Sequence, residues 1–344
     1  MKKLEMKSED KVTGFGEVML RLTCPEYKRI HQCTSLDMCF GGAEFNVINS
    51  LSRFGIPSKY CTIIPNNPFG EKIQMDLRVN CVDISSVILS EGRLGQYFLE
   101  QGYGTRGSNV IYDRKYSCFS MAKEEDFNCE KILKDTTMLH ISGITPALSE
   151  ALRGFTLKLV KRAKEMGITV SYDSNYRSKL WSLADASLFT KEVLKYVDIA
   201  FLGVLDMKNI LNYQIPSDGK QFTEVLETGY KLLFEEFPQL KLTACTNRIV
   251  PSVNNNCLQG FIFDGEALYH SQTYKFDILD RVGGGDAFAA GILYKTIKGE
   301  DSDKTVEFAT AASVLKHSVK GDINLMSEVE IEDFIKSGLQ NIVR

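Results

Sequence analysis

From Met138 onward the chain repeats one pattern: a short apolar run of strand length, then a segment with apolar residues at helical spacing. "MLHIS" precedes a helix expected over 150–166, with Ser149 placed to cap its start and Gly167 to close it. "ITVSYD", a strand over 198–202, a helix over 222–237 and a strand over 240–245 continue the rhythm. Helices near 287–298, 304–319 and 328–342 complete it. Repeated strand–helix units cover both faces of their sheet. The alternation therefore predicts an α/β fold with a mostly parallel central sheet flanked by helices.

The earlier part of the chain is less even. A strand is expected over 12–22, then a helix in "EFNVINSLSRFG" that stops at Gly55, a strand over 60–64 and a helix over 69–81. The stretch 92–122, "GRLGQYFLEQGYGTRGSNVIYDRKYSCFSMA", is rich in Tyr, Phe and Gly and lacks helical periodicity. These patterns divide the chain into an α/β core of 12–17, 41–91 and 123–342 and a small β lid of 18–40 and 92–122. Ligand sites in such folds lie at the carboxyl ends of the strands, where a lid would pack.

Composition narrows the function classes. A net charge of -3 gives no attraction to nucleic acid or to an anionic membrane. No apolar run approaches the roughly 20 residues that span a bilayer, and "MKKLEMKSEDK" lacks the apolar segment of a signal peptide. Nine scattered cysteines without a C-x-x-C pair read as reduced thiols, so a cytoplasmic protein is expected. His31, His140, His270 and His317 are isolated, which argues against a zinc site.

Three glycine patterns need separating. "GYGTRG" (102–107) has the letters of a dinucleotide fingerprint, but such a fingerprint must open a helix, and "SNVIYDRKYS" reads as strand. A hairpin turn suits it better. No G-x-x-x-x-G-K-[ST] occurs, which excludes a P-loop. "ILDRVGGGDAFAAGI" (278–292) is different. It joins a short apolar strand, expected to end at Leu279, to a helix with Phe288, Ile292 and Ile297 on its apolar face. Glycines let the backbone approach a ligand, and the first N–H groups of the helix point to the same place. That combination binds anions, most often phosphate. Asp286 inside it has two readings. It could accept the proton of a hydroxyl that attacks phosphorus, while the N–H groups hold the transferred oxygens. It could equally be an N-cap worth about 1 kcal/mol.

"DRVGGGDAFAAG" resembles the D-x-x-G-A-G-D signature of the ribokinase-like, phosphofructokinase-B type sugar kinases. Gly284 replaces the usual alanine, and Arg281 stands where threonine is common. "GFGEVMLRL" and "CFGGAEFNVINSLSRFG" are similar to the N-terminal sugar-binding segment of that family. "HISGITPALS", "YDSNYRSKLW", "YFLE", "VIYDR" and "KGD" resemble its 2-keto-3-deoxygluconate kinase subgroup. The resemblance extends over nearly the whole chain.

It implies an ATP-dependent kinase that phosphorylates the 6-hydroxyl of 2-keto-3-deoxygluconate. Asp286 would be the catalytic base, and Gly283, Gly284 and Gly285 the anion hole. Gly42, Ala43, Glu44, Phe45 and Asn46 would touch the sugar. Tyr97 and Tyr112 would line its pocket, Arg114 and Arg177 would grip its carboxylate, and Asp322 would bind its far end. Each has a plainer reading: a helix start for "GGAEFN", a solvated surface group for either arginine, a turn for Asp322. On the nucleotide side the family's N-x-x-E is replaced by "GVLD", so Asp206 only approximates its acid. "TNRIVPSVNNN" replaces K-x-G-x-x-G. Asn175, Thr246, Asn247 and Arg248 are the expected ATP contacts. Magnesium is implied with its ligands unassigned, and the need for a monovalent cation is left open. A homo-oligomer paired through the exposed face of the lid is also implied. Two other readings stand beside this one: a kinase of a neutral sugar (fructose or ribose type) or a nucleoside, and a sugar-sensing protein without turnover.

Overall fold

The computed structural model describes residues 10–338. β1 (Lys11–Phe15) lies in a central sheet, while β2 (Met19–Thr23) and β3 (Asp37–Gly41) lie in a separate small one. The strand expected over 12–22 is therefore two strands, broken where the chain passes between sheets. Next come α1 (Ala43–Arg53), β4 (Ser58–Pro65), α2 (Pro68–Val79), β5 (Val82–Asp83) and β6 (Val87–Ser90). β7 (Gln96–Glu100) and β8 (Asn109–Asp113) complete the small sheet, in the order β3-β2-β7-β8.

Over 136–249 the chain follows the strand–helix alternation read from the sequence. α3 (Cys129–Leu133) and β9 (Thr136–Ser142) are followed by α4 (Thr145–Leu148), α5 (Glu150–Glu165) and β10 (Thr169–Asp173). Ser149 caps α5 by accepting from Leu152 N–H at 3.2 Å, and Gly167 closes it with φ 75°. Then follow α6 (Leu183–Leu194), β11 (Ile199–Phe201), α7 (Val204–Asn209), α8 (Phe222–Glu236) and β12 (Leu242–Ile249). β13 (Asn255–Phe263), β14 (Leu268–His270) and β15 (Tyr274–Asp277) precede α9 (Gly284–Lys298), α10 (Ser302–Lys316) and α11 (Glu328–Ser337). The expected helix over 328–342 is seen to Ser337; its positions 339–342, like the "MKKLEMKSE" start, lie outside the described residues.

β12, β11, β10, β9, β1, β4 and β5 are neighbours in that order and all parallel. β13 to β15 add an antiparallel edge that the sequence reading missed, since β13 opens on polar "NNC". Side chains alternate across the sheet. Phe15, Leu139 and Val170 face one hydrophobic cluster, while Val12, Met138 and Ile199 face the other. The strand expected to end at Leu279 ends at Asp277; Leu279 is exposed and its N–H donates to His317 O at 2.9 Å. Among the described residues no helix is long and apolar enough to cross a membrane.

α9 is buried almost all round, and α10 packs against it. Gly291 permits this closeness: a Cβ there would sit 2.6 Å from Ala309 Cα. The C-terminal turn of α10 thereby comes to rest under the N-terminus of α9.

Candidate active site

Each of the three glycines has its own reason. Gly283 has φ 83°, and a Cβ there would lie 1.9 Å from Asp322 O. A Cβ on Gly284 would lie 2.3 Å from the His317 ring, whereas one on Gly285 would meet nothing within 4 Å. The first two glycines are fixed by packing against α10 and the loop after it; the third opens onto a cavity. The helical ladder begins with Ala287 N–H donating to Gly283 O at 2.9 Å. The N–H groups of Gly284, Gly285 and Asp286 precede it and are the orphans of the helix start.

The N-cap position belongs to Gly283, so Asp286 is not the cap. Its Oδ2 accepts from Asn46 Nδ2 at 2.6 Å. Burial pushes the Asp286 carboxyl up to about 7; the Asn46 bond opposes this, Asp322 adds to it and Arg177 opposes it. A carboxyl held there suits a general base at neutral pH.

Asp286 and the glycine run line a cavity of about 460 Å³. Gly42, Ala43 and Asn46 of the α1 start form one wall, and Tyr97, Tyr112 and Arg114 of the small sheet form another, with Arg177 and Asp322 completing it. Glu44 and Phe45 do not line it, a correction to the sequence reading. They fall on the inner side of α1, out of phase with Ala43 and Asn46. Glu44 Oε1 accepts from Ser142 N–H, Ser142 Oγ and Thr145 Oγ1, at 3.0, 2.7 and 3.1 Å, tying α1 to the end of β9. Phe45 is fully buried edge-on against Tyr60.

Three of the expected substrate contacts, Tyr97, Asp322 and Arg114, are already engaged with protein groups. Tyr97 OH donates to Asp322 Oδ2 at 2.6 Å, and Arg114 is paired with buried Glu17 through Nε and Nη2. Arg177 is exposed, and among the described residues it makes no ion pair. It stands between Asp173, Asp206 and Asp286 in charge.

A second cavity, of about 580 Å³, shares Asp173, Asn175, Arg177 and Gly285 with the first, so the two meet at the glycine run. Thr246 and Asp206 line it; Asn247 and Arg248 line neither. Asn247 alternates to the other face of β12, and Arg248 Nη2 lies 3.2 Å from His317 Nε2. Asn175 holds φ 37°, a left-handed backbone that Asn tolerates.

Several site residues escaped the sequence reading. Asp173, at the end of β10, is pushed up to about 8 by burial, then by Asp286 and Asp206. The acid in "YDSNYR" at a strand's carboxyl end was the available signal. Asp206, which the sequence reading did name as an approximate acid, is also raised by burial, while Gly203 N–H and Ser174 Oγ donate to it at 2.8 and 3.1 Å. Arg281 lines the first cavity without an ion pair among the described residues. Arg21 on β2 is buried and bridges Asp280 and Asp322, at 2.6 Å each. Its signal was an arginine inside the apolar alternation "MLRL".

The model of the pfkB family carbohydrate kinases matches residues 9–234 and 259–329. The chain is 32% identical over 330 residues to a 2-dehydro-3-deoxygalactonokinase of Haloferax volcanii, covering 96% of this chain and 98% of that one. It is 26% identical to a 2-dehydro-3-deoxygluconokinase of Bacillus subtilis, covering 92% of this chain and 91% of that one. The crystal structure of a 2-dehydro-3-deoxygluconokinase from Thermotoga maritima superposes with a TM-score of 0.92 at 37% identity, covering 95% of this chain and all of that one.

Proposed function

The chain belongs to the pfkB family of carbohydrate kinases and is an ATP-dependent sugar kinase, and from that premise we propose that it phosphorylates the 6-hydroxyl of 2-keto-3-deoxygluconate to give 2-keto-3-deoxy-6-phosphogluconate. One observation carries the choice of a sugar acid: Arg177, a cation that makes no ion pair among the described residues, shares one cavity with the candidate base Asp286. The hydroxyl gives its proton to Asp286 as its oxygen bonds to the γ-phosphorus, while the bond from that phosphorus to the β,γ-bridging oxygen breaks and ADP leaves. The N–H groups of Gly284 and Gly285, with the α9 dipole behind them, receive the transferred oxygens. Arg177 holds the substrate carboxylate. Arg114, its charge matched by Glu17, serves as a hydrogen-bond donor, and Tyr97 and Tyr112 offer their rings to the sugar's apolar face.

ATP lies in the second cavity against Asn175 and Thr246. Asp173 and Asp206 would hold Mg²⁺ together with the nucleotide phosphates. Both carboxyls are raised by burial, a condition that a divalent cation relieves. When bound, the cation would neutralise charge on the nucleotide phosphates. The small sheet acts as a lid that keeps water from the reacting phosphoryl group.

The test is a substrate panel. Replacing Arg177 with Ala raises KM for 2-keto-3-deoxy sugar acids by roughly 30- to 100-fold, the worth of a charge-assisted bidentate contact. KM for neutral sugars hardly changes. Equal effects on acids and neutral sugars would mean that Arg177 does not meet a carboxylate.

The same reading includes a homo-oligomer formed through the lid. Met38, Leu22, Phe98 and Ile111 are cross-strand neighbours in one row over all four strands of the small sheet, with Met38 and Ile111 half exposed. An apolar row of this kind favours a partner. Sedimentation should give a mass above one chain, and Ile111→Lys should shift it toward the monomer; a monomeric wild type refutes the pairing. All nine cysteines are unpaired, which supports a cytoplasmic setting.

A further inference from the structure

We propose that the Lys316 ammonium is a fixed cation beneath the glycine run, doing the work of a bound monovalent metal ion, so that turnover is independent of added K⁺ or Na⁺. The inference rests on the kinase reading above and assigns a positioning residue to its anion site.

Lys316 is the last residue of α10 and is completely buried. Nζ donates to Gly321 O at 2.5 Å and lies 3.5 Å from Val319 O. Gly283 sits directly over the side chain: a Cβ on it would be 3.3 Å from Lys316 Cε. The ammonium thus lies below the first glycine of the anion site and ties the loop 319–321 to the end of α10. The neighbouring bonds tighten the same place. Ser313 Oγ donates to Gly284 O at 2.8 Å, and His317 O accepts from Leu279 and Asp280 N–H.

Charge balance gives the lysine its purpose. Asp280 and Asp322 are buried beside the glycine run, and Arg21 pairs with both. One arginine against two carboxylates leaves a net negative charge under a site built to receive negative oxygens. The ammonium of Lys316 is the second cation that makes this floor neutral. Burial pulls the Lys316 pKa down, Asp280 and Asp322 push it back up, and Arg21 opposes them. Among the described residues no carboxylate lies within ion-pair distance of Nζ; its bonds go to loop carbonyls, the oxygen donors that a hard cation takes. Shortening the side chain leaves those oxygens facing an empty space of about the right kind for an ion.

The experiment measures turnover with sugar acid, ATP and Mg²⁺ in K⁺, Na⁺, ammonium or tetramethylammonium salts at one ionic strength. Wild type gives rates that agree within about twofold, and a larger stimulation by K⁺ overturns the proposal. Lys316→Ala loses on the order of 100-fold in kcat with sugar KM nearly unchanged, and K⁺ or ammonium restores about tenfold while tetramethylammonium does not. A folded Lys316→Ala variant that keeps its turnover, or that no cation restores, also overturns it. If Lys316→Ala does not fold, Lys316→Met keeps the volume without the charge, and undiminished turnover in that variant counts against the proposal. Failure of the substrate reading is distinguishable, because wild type then releases no sugar-dependent ADP in any salt. Calorimetry with a non-hydrolysable ATP analogue still decides on Lys316 in that event: affinity falls about tenfold in Lys316→Met if the ammonium supports the anion site, and unchanged affinity removes it.

Discussion

Asp286→Asn lowers turnover by about 10²- to 10⁴-fold, the range a positioned general base contributes, while affinity for a non-hydrolysable ATP analogue stays within about threefold. The substitution keeps the size of the side chain and a hydrogen-bonding partner for Asn46, but removes the oxygen that accepts the proton. The pH profile gives the sign. A base works when deprotonated, and burial holds Asp286 at about 7. The kcat/KM of wild type therefore rises with pH through about 7 and falls about tenfold per unit below it. Asp173 is raised by the same burial, but the divalent cation proposed for it would hold it ionised during turnover, so the limb is assigned to Asp286 by its loss in the Asn variant. Unchanged turnover in Asp286→Asn would falsify its role as base.

Arg21→Met is the largest expected loss of stability. The guanidinium joins β2 of the small sheet to Asp280 before the glycine run and to Asp322 beyond α10, and all three groups are buried. Removing it strands two carboxylates, which costs about 3–5 kcal/mol for a buried pair broken from one side. The melting temperature should fall by roughly 4–7 °C for a chain of this size. Arg21→Lys keeps a charge but not the fork, and should recover only part of the loss. A melting temperature within about 2 °C of wild type in Arg21→Met would show that the bridge does not hold the small sheet to the central one.

These residues also show what was legible in the sequence. The glycine run and Asp286 were, because three glycines, an acid and the start of a helix follow one another directly. Arg177 and Asn46 were legible as members of local motifs at a strand end and a helix start. Glu44 and Phe45 belong to the same motif as Asn46, yet helical phase turns them inward, and phase relative to a cavity is set by packing. Asp322 was expected at the far end of the sugar, with a turn as its plainer reading, but its bond to Arg21, 301 positions away, was not legible. The bridge from Arg21 to Asp280 spans 259 positions. No local pattern carries such pairs. The break between β1 and β2 was hidden for the opposite reason: both halves are good strand sequence, and only the choice of sheet separates them.

The most direct test of the whole account is ³¹P NMR of the product made from ATP and 2-keto-3-deoxygluconate. A single phosphate ester on the C6 oxygen is expected, formed by wild type and nearly absent with Asp286→Asn. Esterification at another oxygen, or release of inorganic phosphate with no sugar ester, would contradict it.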